Sequence, residues 1–313
     1  MRNLLILFAL CNILSFKSFA QVPTTDIYLM DMKVKHGKYI FENAQKISDF
    51  KGYNNQPYFT PDGKSIYYVS YRNKQSDIYK YDIKANQTTQ FTNTPEDEYS
   101  PKLTPDGKYI SVVRVMKDSS QQLWEFPLDG GNPSIILRNA DSIGYYCWID
   151  KRVAIANIPE PMKLEIADTA RRGYKHVKKL DDYELDARQV KNIGRTIQKL
   201  DDKSNSIIFV LKSPDKKDSM YLICKLSENS DYSADKMERI TQTLPHCEDF
   251  ALGPKSNLYM GCKGKLYKFR IGYDLDWTEI ADFTNTPYKS FYRLAINAKG
   301  DKICVVSYEG KKP

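Results

Sequence analysis

The sequence predicts an all-β fold, a six-bladed β-propeller with four-stranded antiparallel blades whose last blade is closed by strands from both chain ends. Three observations support this prediction. A hairpin pattern containing Pro-Asp-Gly-Lys recurs after 44 residues, weaker copies bring the number of such hairpins to six, and the N-terminal strand pattern repeats the third strand of a blade. A period in the forties with four short strands per unit is typical of propeller blades.

The hairpin repeat relates residues 56–69 to residues 100–113, which share a Thr-Pro-Asp-Gly-Lys turn. In each unit proline presets one turn residue and glycine takes the positive φ, so the first strand reverses into a second strand rich in β-branched and aromatic residues. A third strand at residues 77–82 and a fourth at residues 88–91 complete the first blade. Weaker copies of the hairpin occupy residues 148–154, 198–211, 250–259 and 294–306.

The two chain ends are predicted to complete one blade together. Residues 26–31 repeat the third-strand pattern of residues 77–82 before any first or second strand has occurred, and residues 306–308 match residues 69–71. The N-terminal segment would then supply the two outer strands of the last blade, and the C-terminal segment its two inner strands. Such an interlock closes the ring and leaves no open blade edge.

Two alternatives concern the architecture. A solenoid would also produce repeats, and the charged stretch 175–198 fits a helix as well as strands. The register of the third blade favours strands at residues 164–168 and 174–180. A short helical turn remains open for residues 178–186.

Residues 1–20 are predicted to be a signal peptide. Arg2 supplies a positive charge, an apolar stretch follows, and Ser18-Phe19-Ala20 forms a small-x-small cleavage site. The apolar stretch is shorter than the roughly 20 residues of a membrane span, which makes an uncleaved anchor the weaker alternative. We therefore expect an exported protein, periplasmic or extracellular, with no membrane span after cleavage and one propeller domain over residues 21–313.

The charge of the mature chain argues against nucleic-acid binding. Without residues 1–20, 45 Lys and Arg face 39 Asp and Glu, and the two signs are interleaved along the sequence. Nucleic-acid binders instead concentrate basic residues on one face or stripe. The absence of a linker or low-complexity segment indicates one domain, which we expect to be a monomer.

Residues 91–95 (Phe-Thr-Asn-Thr-Pro) and 100–110 (Ser-Pro-Lys-Leu-Thr-Pro-Asp-Gly-Lys-Tyr-Ile) resemble the repeat of TolB-like propellers. The resemblance is strong over residues 50–137 and moderate over 245–308. It implies a six-bladed propeller without the α/β domain that precedes the propeller in TolB. Similar propellers serve as periplasmic scaffolds, protease accessory domains and a few glycan-cleaving enzymes, so the resemblance implies a fold more than a function.

The sequence contains no recognisable catalytic set. The histidines His36, His176 and His246 fall in different parts of the repeat and are not expected to converge on one metal ion. No nucleophile elbow, P-loop or dinucleotide fingerprint occurs. Paired carboxylates such as Glu248-Asp249 are more simply loop residues than a catalytic dyad. We therefore predict a protein without metal or cofactor that is not an enzyme.

A binding surface is predicted on the propeller face formed by the loops that enter each innermost strand and the loops that join second to third strands. Tyrosine and arginine are abundant there, and both are enriched at recognition surfaces. Because the chain has 23 tyrosines, several could also fall there by chance. The residues of this predicted rim are Tyr53, Asn54, Asn55, Arg72, Glu98, Tyr99, Arg114, Tyr145, Tyr146, Arg195, His246, Glu248, Asp249, Tyr292 and Arg293.

Two functions are compatible with this rim. The first is a binding or scaffold propeller that recognises an envelope protein or peptide on its loop face. The alternative is a glycan-binding or glycan-cleaving propeller whose rim tyrosines stack on sugar rings.

A disulfide is predicted between Cys247 and Cys262. Aligning residues 66–67 with residues 258–259 makes Leu252 and Asn257 flank the hairpin turn, which places the two cysteines opposite each other on the first and second strands of the fifth blade. Opposed Cα atoms are close enough for a disulfide. Alternatively both are small buried residues, as we expect for Cys147, Cys224 and Cys304.

Overall fold

The computed structural model describes residues 23–138, 140–158, 162–169, 175–179, 192–201, 204–212, 221–227 and 236–308. These residues form six four-stranded antiparallel sheets. Apart from one 3₁₀ turn at Pro254–Ser256, every regular element among them is a β-strand. The predicted six-bladed propeller is confirmed. The predicted signal peptide lies outside the described residues.

The blades follow one another along the chain. The first blade contains β3 (Asn54–Phe59), β4 (Ser65–Arg72), β5 (Gln75–Asp82) and β6 (Gln87–Gln90). The second contains β7 (Asp97–Leu103), β8 (Tyr109–Val115), β9 (Gln121–Pro127) and β10 (Ser134–Ile135). The third contains β11 (Ile143–Trp148), β12 (Arg152–Asn157), β13 (Lys163–Asp168) and β14 (Lys175–Lys179). The fourth contains β15 (Asn192–Lys199), β16 (Ile207–Lys212), β17 (Leu222–Ser227) and β18 (Lys236–Gln242). The fifth contains β19 (Phe250–Gly253), β20 (Asn257–Cys262), β21 (Lys265–Arg270) and β22 (Thr278–Asp282).

The last blade joins the two chain ends. Its strand order is β23 (Phe291–Ile296), β24 (Lys302–Tyr308), β1 (Thr25–Lys35) and β2 (Lys38–Lys46) from the centre outward. β1 and β24 pair continuously from Thr25 opposite Tyr308 to Asp31 opposite Lys302. The predicted interlock is therefore confirmed, and backbone hydrogen bonds between chain ends hold the ring shut.

In the third blade, the predicted strands are also observed. β13 and β14 occupy most of the stretches 164–168 and 174–180. Residues 178–179 belong to β14, and the rest of the stretch that left a helical turn open lies outside the described residues.

Side chains of the Thr-Pro-Asp-Gly-Lys turn stabilise the innermost hairpins. In the first blade, the Thr60 amide donates to the Ser65 carbonyl at 2.9 Å, and the Thr60 hydroxyl donates to the Asp62 carboxylate at 2.6 Å. Gly63 takes a φ of 68°. The same bonds recur at residues 104–109 of the second blade. Local chemistry thus closes these hairpins, which explains why the repeat is visible in the sequence.

The core lies between neighbouring blades. Along β4, Ile66 and Tyr68 pack against the last blade, whereas Tyr67 and Val69 pack against the second blade near Ile110. All five side chains are at most 3% exposed. Because both faces of the strand are covered, its sequence is a continuous apolar run rather than an alternating one.

Cys247 and Cys262 are joined by a disulfide, with their Cα atoms 5.8 Å apart. The register behind the prediction was wrong by one residue, because Leu252 pairs with Leu258 instead of flanking the turn with Asn257. The turn of this blade has only three residues, Pro254–Ser256, one fewer than the turn of the first blade.

A second one-residue offset compensates for the first. Cys247 precedes β19 and lies three positions before Phe250, whereas Cys262 lies two positions after Met260, the partner of Phe250. One extra residue on the first-strand side therefore brings the cysteines back to face each other. The same three-to-two offset separates Asn55 from Tyr58 opposite β4.

We expect the disulfide to form in protein expressed in an oxidising compartment. Trypsin cleaves after Lys255, between the two cysteines, so a non-reduced digest should contain their peptides joined. Because the bond closes a loop of 15 residues, its removal by Cys247→Ser should cost about 3 kcal/mol. Cys147, Cys224 and Cys304 provide an internal control, since these free thiols should be alkylated in denatured protein without reduction. Alkylation of all five cysteines without reduction would contradict the prediction.

Candidate functional site

The innermost strands carry irregularities that reshape the centre of the ring. The pairing register shifts in β3, β7, β11, β15 and β23. In β3 and β7 the shift includes Gln56 and Ser100, whose φ values are 54° and 57°. A bulge bends the strand and redirects its side chains. Residues at or beside these shifts line the central channel, namely Gln56, Ser100, Tyr145, Arg195, Thr196 and Arg293.

The channel contains two neighbouring cavities. The loop-side cavity has a volume of about 130 Å³ and is lined by residues at the start of the innermost strands. The hairpin-side cavity, of about 300 Å³, is lined further along the same strands, towards the hairpin turns. Five residues line both cavities and mark the boundary between them: Pro57, Tyr58, Lys102, Gln198 and Leu294.

An ion-pair cluster centred on Asp249 lies in the loop-side cavity. The Arg195 guanidinium donates two hydrogen bonds to the Asp249 carboxylate, at 2.8 and 2.6 Å, and the Thr196 hydroxyl donates a third at 3.1 Å. Arg293 Nε lies 3.9 Å from the same carboxylate. Burial alone would raise the pKa of Asp249, but the charges of Arg293 and Arg195 hold it below its usual value of 3.8. One buried carboxylate therefore stays ionised between two cations.

A second network connects this cluster with the first blade. Arg293 donates to Asn55 Oδ1 at 3.0 Å, and the Asn55 amide donates to the Tyr292 hydroxyl at 2.7 Å. The guanidinium carbons of Arg195 and Arg293 lie 5.7 and 5.9 Å from the centre of the Tyr292 ring, within cation–π range. A hydrogen bond to Asn55 and an ion pair with Asp249 thus position Arg293.

Tyrosines surround the cationic groups. Burial raises the pKa of Tyr53 to about 12, and the charge of Arg293 acts on the same hydroxyl. Burial also raises the pKa values of Tyr99 and Tyr292. Since these phenols remain protonated at neutral pH, they are available as hydrogen-bond donors beside the loop-side cavity.

Lys102 contributes a further positive charge to the channel. Its ammonium nitrogen lies 5.9 Å from the ring centres of both Tyr58 and Tyr146. Burial lowers the pKa of Lys102, and the charge of Arg293 lowers it further. The arrangement can bind an anion, but it offers no obvious nucleophile and base pair.

No protein-family model matches this chain. An uncharacterised protein of Agrobacterium fabrum is 27% identical over 124 residues, covering 38% of this chain and 42% of that protein. The Tol-Pal system protein TolB of Francisella tularensis is 35% identical over 79 residues, covering 21% of this chain and 18% of that protein. The chain thus spans less than half the length of either curated relative it matches.

Solved propellers share the fold at low sequence identity. The structure of putative TolB from Agrobacterium tumefaciens has a TM-score of 0.56 at 13% identity, covering 92% of this chain and 99% of that chain. TolB from Acinetobacter baumannii has a TM-score of 0.55 at 13% identity, covering 92% and 65%. This chain folds as a TolB-like β-propeller. An oligogalacturonate lyase in complex with manganese also shares the fold, with a TM-score of 0.55 at 12% identity over 86% and 82% of the two chains.

The TolB-like propeller brings together part of the predicted rim. The predicted rim residues that line the loop-side cavity are Tyr145, Tyr146, Arg195, Asp249 and Arg293, and those that lie beside them are Tyr53, Asn55, Tyr99 and Tyr292. Glu248 supports this group from behind, because it accepts a hydrogen bond from the Arg195 amide at 3.0 Å and lies 3.7 Å from Lys212 Nζ.

Two other predicted rim residues contact neighbouring side chains of the propeller and line neither cavity. Arg72 pairs with Asp49 and stacks 3.8 Å from the Tyr79 ring centre. Arg114 is 8% exposed and pairs with Glu96. Both lie at the ends of second strands, where neighbouring acidic and aromatic side chains of the propeller bind them instead of leaving them free at the rim.

Three further rim residues also differ from expectation. Asn54 is fully buried, and its side-chain amide donates to the Thr25 carbonyl of the last blade at 2.9 Å. Tyr146 lines the loop-side cavity but is only 2% exposed, because its hydroxyl donates to the Ser100 carbonyl inside the propeller. His246 is exposed on the loop before β19 with a φ of 64° and lines neither cavity.

The TolB-like propeller has four channel residues that sequence reasoning missed. Lys102, Gln56, Tyr58 and Gln198 line the cavities but belong to strands that were expected to be regular. Lys102 was detectable in principle, because a charged residue follows Ser100-Pro101 within an innermost strand, where apolar residues are usual.

Within the described part of the chain, no three His, Cys, Asp or Glu side chains are grouped so that they could hold a metal ion. Two histidines lie far out in their blades, since His36 occupies the β1–β2 turn and His176 lies in the outermost strand β14. Over the same residues no helix has the length and apolar character that crossing a bilayer requires.

Glu98 was also expected at the rim, but its side chain is fully buried. It accepts a hydrogen bond from Thr94, and its Oε1 atom lies 3.5 Å from Arg114 Nε. Burial raises the pKa of Glu98 to about 8, and the neighbouring charge of Asp77 contributes. Glu98 is therefore an internal group between the first and second blades rather than a binding residue.

We expect Glu98 to make stability depend on pH. Its pKa in the folded protein lies above the value of 4.5 expected for the unfolded chain, so the folded state binds more protons between these values. Stability should therefore fall by on the order of a few kcal/mol as pH rises from about 5 to 9, and Glu98→Gln should flatten this decline. Urea unfolding at several pH values measures the slope, with exposed Asp129→Asn as control. An equal decline in wild type and Glu98→Gln would contradict the prediction.

Proposed function

We propose that the protein is an exported, non-enzymatic binding or scaffold propeller that recognises a protein or peptide segment at the loop side of its channel. The observation that carries the proposal is the cluster of Arg195, Asp249 and Arg293 beside protonated tyrosines. Such a set supplies charge, hydrogen-bond donors and rings for recognition. It holds no nucleophile activated by a neighbouring base.

The similarity to a protein named Tol-Pal system protein agrees with a role in a protein assembly. We extend that role to this chain only as part of the proposal. Export through the predicted signal peptide would place the propeller in the periplasm or outside the cell. We further propose that it acts as a monomer, because pairing of β1 with β24 leaves the last blade without a missing strand.

A capture experiment with matched variants tests the proposal. Purified propeller should capture a defined protein from an envelope extract of the source organism, and a Tyr145→Ala, Arg293→Gln double variant should lose at least about tenfold of the capture. Tyr146 is unsuitable for this test, because its buried hydroxyl bonds to the neighbouring blade. Tyr273→Ala is the control, since Tyr273 is 71% exposed between β21 and β22. Unchanged capture by the double variant would show that the loop side is not the binding face.

The second candidate function is binding or cleavage of an acidic glycan. It is favoured by the position of Lys102, Arg195 and Arg293 beside tyrosine rings, and by the fold shared with an oligogalacturonate lyase. An acidic-glycan array and a reducing-end assay address binding and cleavage separately. A lack of binding on the array together with a lack of cleavage in the assay would eliminate this candidate.

A further inference from the structure

The Lys102 side chain has no acidic partner in the part of the chain that the structure describes. Its ammonium group lies beside the rings of Tyr58 and Tyr146, and the charged or ionisable groups that act on it are Cys147 and Arg293. Ring faces attract a cation but accept its three N–H donors poorly. A half-buried lysine without a carboxylate carries an uncompensated desolvation cost.

The charges around Lys102 add to this imbalance. Of the described residues that line the loop-side cavity, Lys102, Arg195 and Arg293 are cationic and Asp249 alone is anionic. Asp249 is already committed to the two arginines, with both carboxylate oxygens bonded to Arg195. The cavity therefore has an excess of two positive charges, which a bound anion would reduce.

The hairpin-side cavity beyond Lys102 indicates what accompanies the anion. Eight of the fourteen residues that line it are apolar, namely Pro57, Phe59, Leu103, Ala251, Leu252, Leu294, Ala295 and Ile296, and the lining is completed by Tyr58, Lys102, Cys147, Trp148, Gln198 and Lys199. A sugar ring carries hydroxyl groups over most of its surface, each of which requires a polar partner when it is buried. A peptide can instead present a carboxylate beside an apolar side chain.

We infer that Lys102 and Arg293 form a carboxylate subsite in the channel that takes an acidic residue of an extended peptide, with an adjacent apolar side chain in the hairpin-side cavity. This inference rests on the proposed function, because it names the chemistry of the peptide that the loop side recognises. Lys102 supplies the charge that Asp249 does not neutralise, and Arg293, held by Asn55, supplies a preoriented donor set.

The test uses three soluble probes and the full mature protein. They are the capped peptide acetyl-Gly-Gly-Leu-Glu-Gly-Gly-amide, the same peptide with Gln in place of Glu, and trigalacturonate. The affinity of each probe for wild type and for each variant is measured by isothermal titration calorimetry. In wild type, NMR of the ¹³C resonances of labelled lysine side chains reports on Lys102, which is assigned by its loss in Lys102→Gln. The Glu peptide should shift the Lys102 resonance saturably, the Gln peptide should bind at least about tenfold more weakly, and Lys102→Gln should cause a similar loss.

Two variants control for folding and for general charge. Lys102→Arg retains the charge and should keep binding within about threefold, whereas Lys108→Gln removes an exposed charge from the β7–β8 turn and should leave binding unchanged. Equal binding of the Glu and Gln peptides, or unaltered binding by folded Lys102→Gln, would overturn the subsite. Tighter Lys102-dependent binding of trigalacturonate would overturn the peptide assignment in favour of an acidic glycan.

These results are separable from those for the proposed function. A Lys102 shift with the Glu peptide would support the carboxylate subsite even if capture from envelope extract were independent of Tyr145 and Arg293. Capture that depends on those residues, with no response of Lys102 to any probe, would support peptide recognition and overturn the subsite.

Discussion

Asp249→Asn is expected to lower the free energy of unfolding by roughly 3–5 kcal/mol and the melting temperature by about 10 °C. Asp249 is 4% exposed and is the shared counter-ion of Arg195 and Arg293. Asparagine preserves the shape but leaves two guanidinium groups in the channel without their carboxylate. Removing one partner of a buried ion cluster costs more than the cluster itself contributes. Thermal and urea unfolding measure the effect.

A double variant separates this explanation from loss of packing. Arg195→Met combined with Asp249→Met removes a cation together with the anion and should recover a substantial part of the lost stability. Exposed Asp276→Asn is the matched control and should change stability by less than about 0.5 kcal/mol. A double variant as unstable as Asp249→Asn would show that uncompensated charge is not the cause.

The Asp249 cluster also predicts acid sensitivity. Because the pKa of Asp249 in the folded protein lies below its ordinary value of 3.8, the folded state binds fewer protons than the unfolded state in that range. The stabilisation is present above about pH 4 and is lost as pH falls through the lower folded pKa. Asp249→Asn lacks this contribution, so the stability difference between wild type and variant should shrink as the solution is acidified to about pH 2.

Loss of the terminal interlock is expected to have the largest effect on the propeller. Deleting residues 21–48 removes β1 and β2 and exposes the backbone edge of β24, which normally pairs with β1 from Thr25 to Asp31. An open strand edge beside exposed apolar side chains promotes aggregation. We expect the truncated protein to lose solubility and the native melting transition. A soluble monomer with an unchanged melting temperature would refute the role of the interlock.

Two point variants on β1 test the same interface without truncation. Met30 is fully buried between the last and fifth blades, whereas Val34 on the same strand is 58% exposed. Met30→Asp buries an unpaired charge and should destabilise the fold by about 4 kcal/mol or more. Val34→Asp should stay within about 1 kcal/mol of wild type. Similar melting temperatures for the two variants would show that β1 packing does not support the ring.

The blade architecture was predictable because its signals are local. Proline, aspartate and glycine at residues 61–63 determine a hairpin through bonds within six residues. The apolar runs that follow reflect strands buried on both faces. Ring closure was predictable for a related reason. The third-strand pattern is recognisable within residues 26–31 alone, and it occurs before any first or second strand of its blade.

The candidate site depended on non-local geometry. Gln56 and Ser100 adopt positive φ values although neither is glycine, so the bulges that redirect the inner strands have no signature in the sequence. The rim prediction therefore included Arg72 and Arg114, which contact neighbouring aromatic and acidic side chains of the propeller, and omitted Lys102, which lines the channel.

The sequence by itself determined six hairpins, their order and the pairing of the chain ends, because each of these follows from a side-chain pattern that is recognisable within a short segment. Only the tertiary structure decided which charges meet in the channel. Arg195, Asp249 and Arg293 come from three different blades, and their approach depends on the curvature of the ring and on the register shifts in β15 and β23. A one-residue shift reverses the face on which a strand side chain lies, so the local pattern marks Lys102 as an unusual charge in an innermost strand but does not by itself assign it to the centre of the propeller.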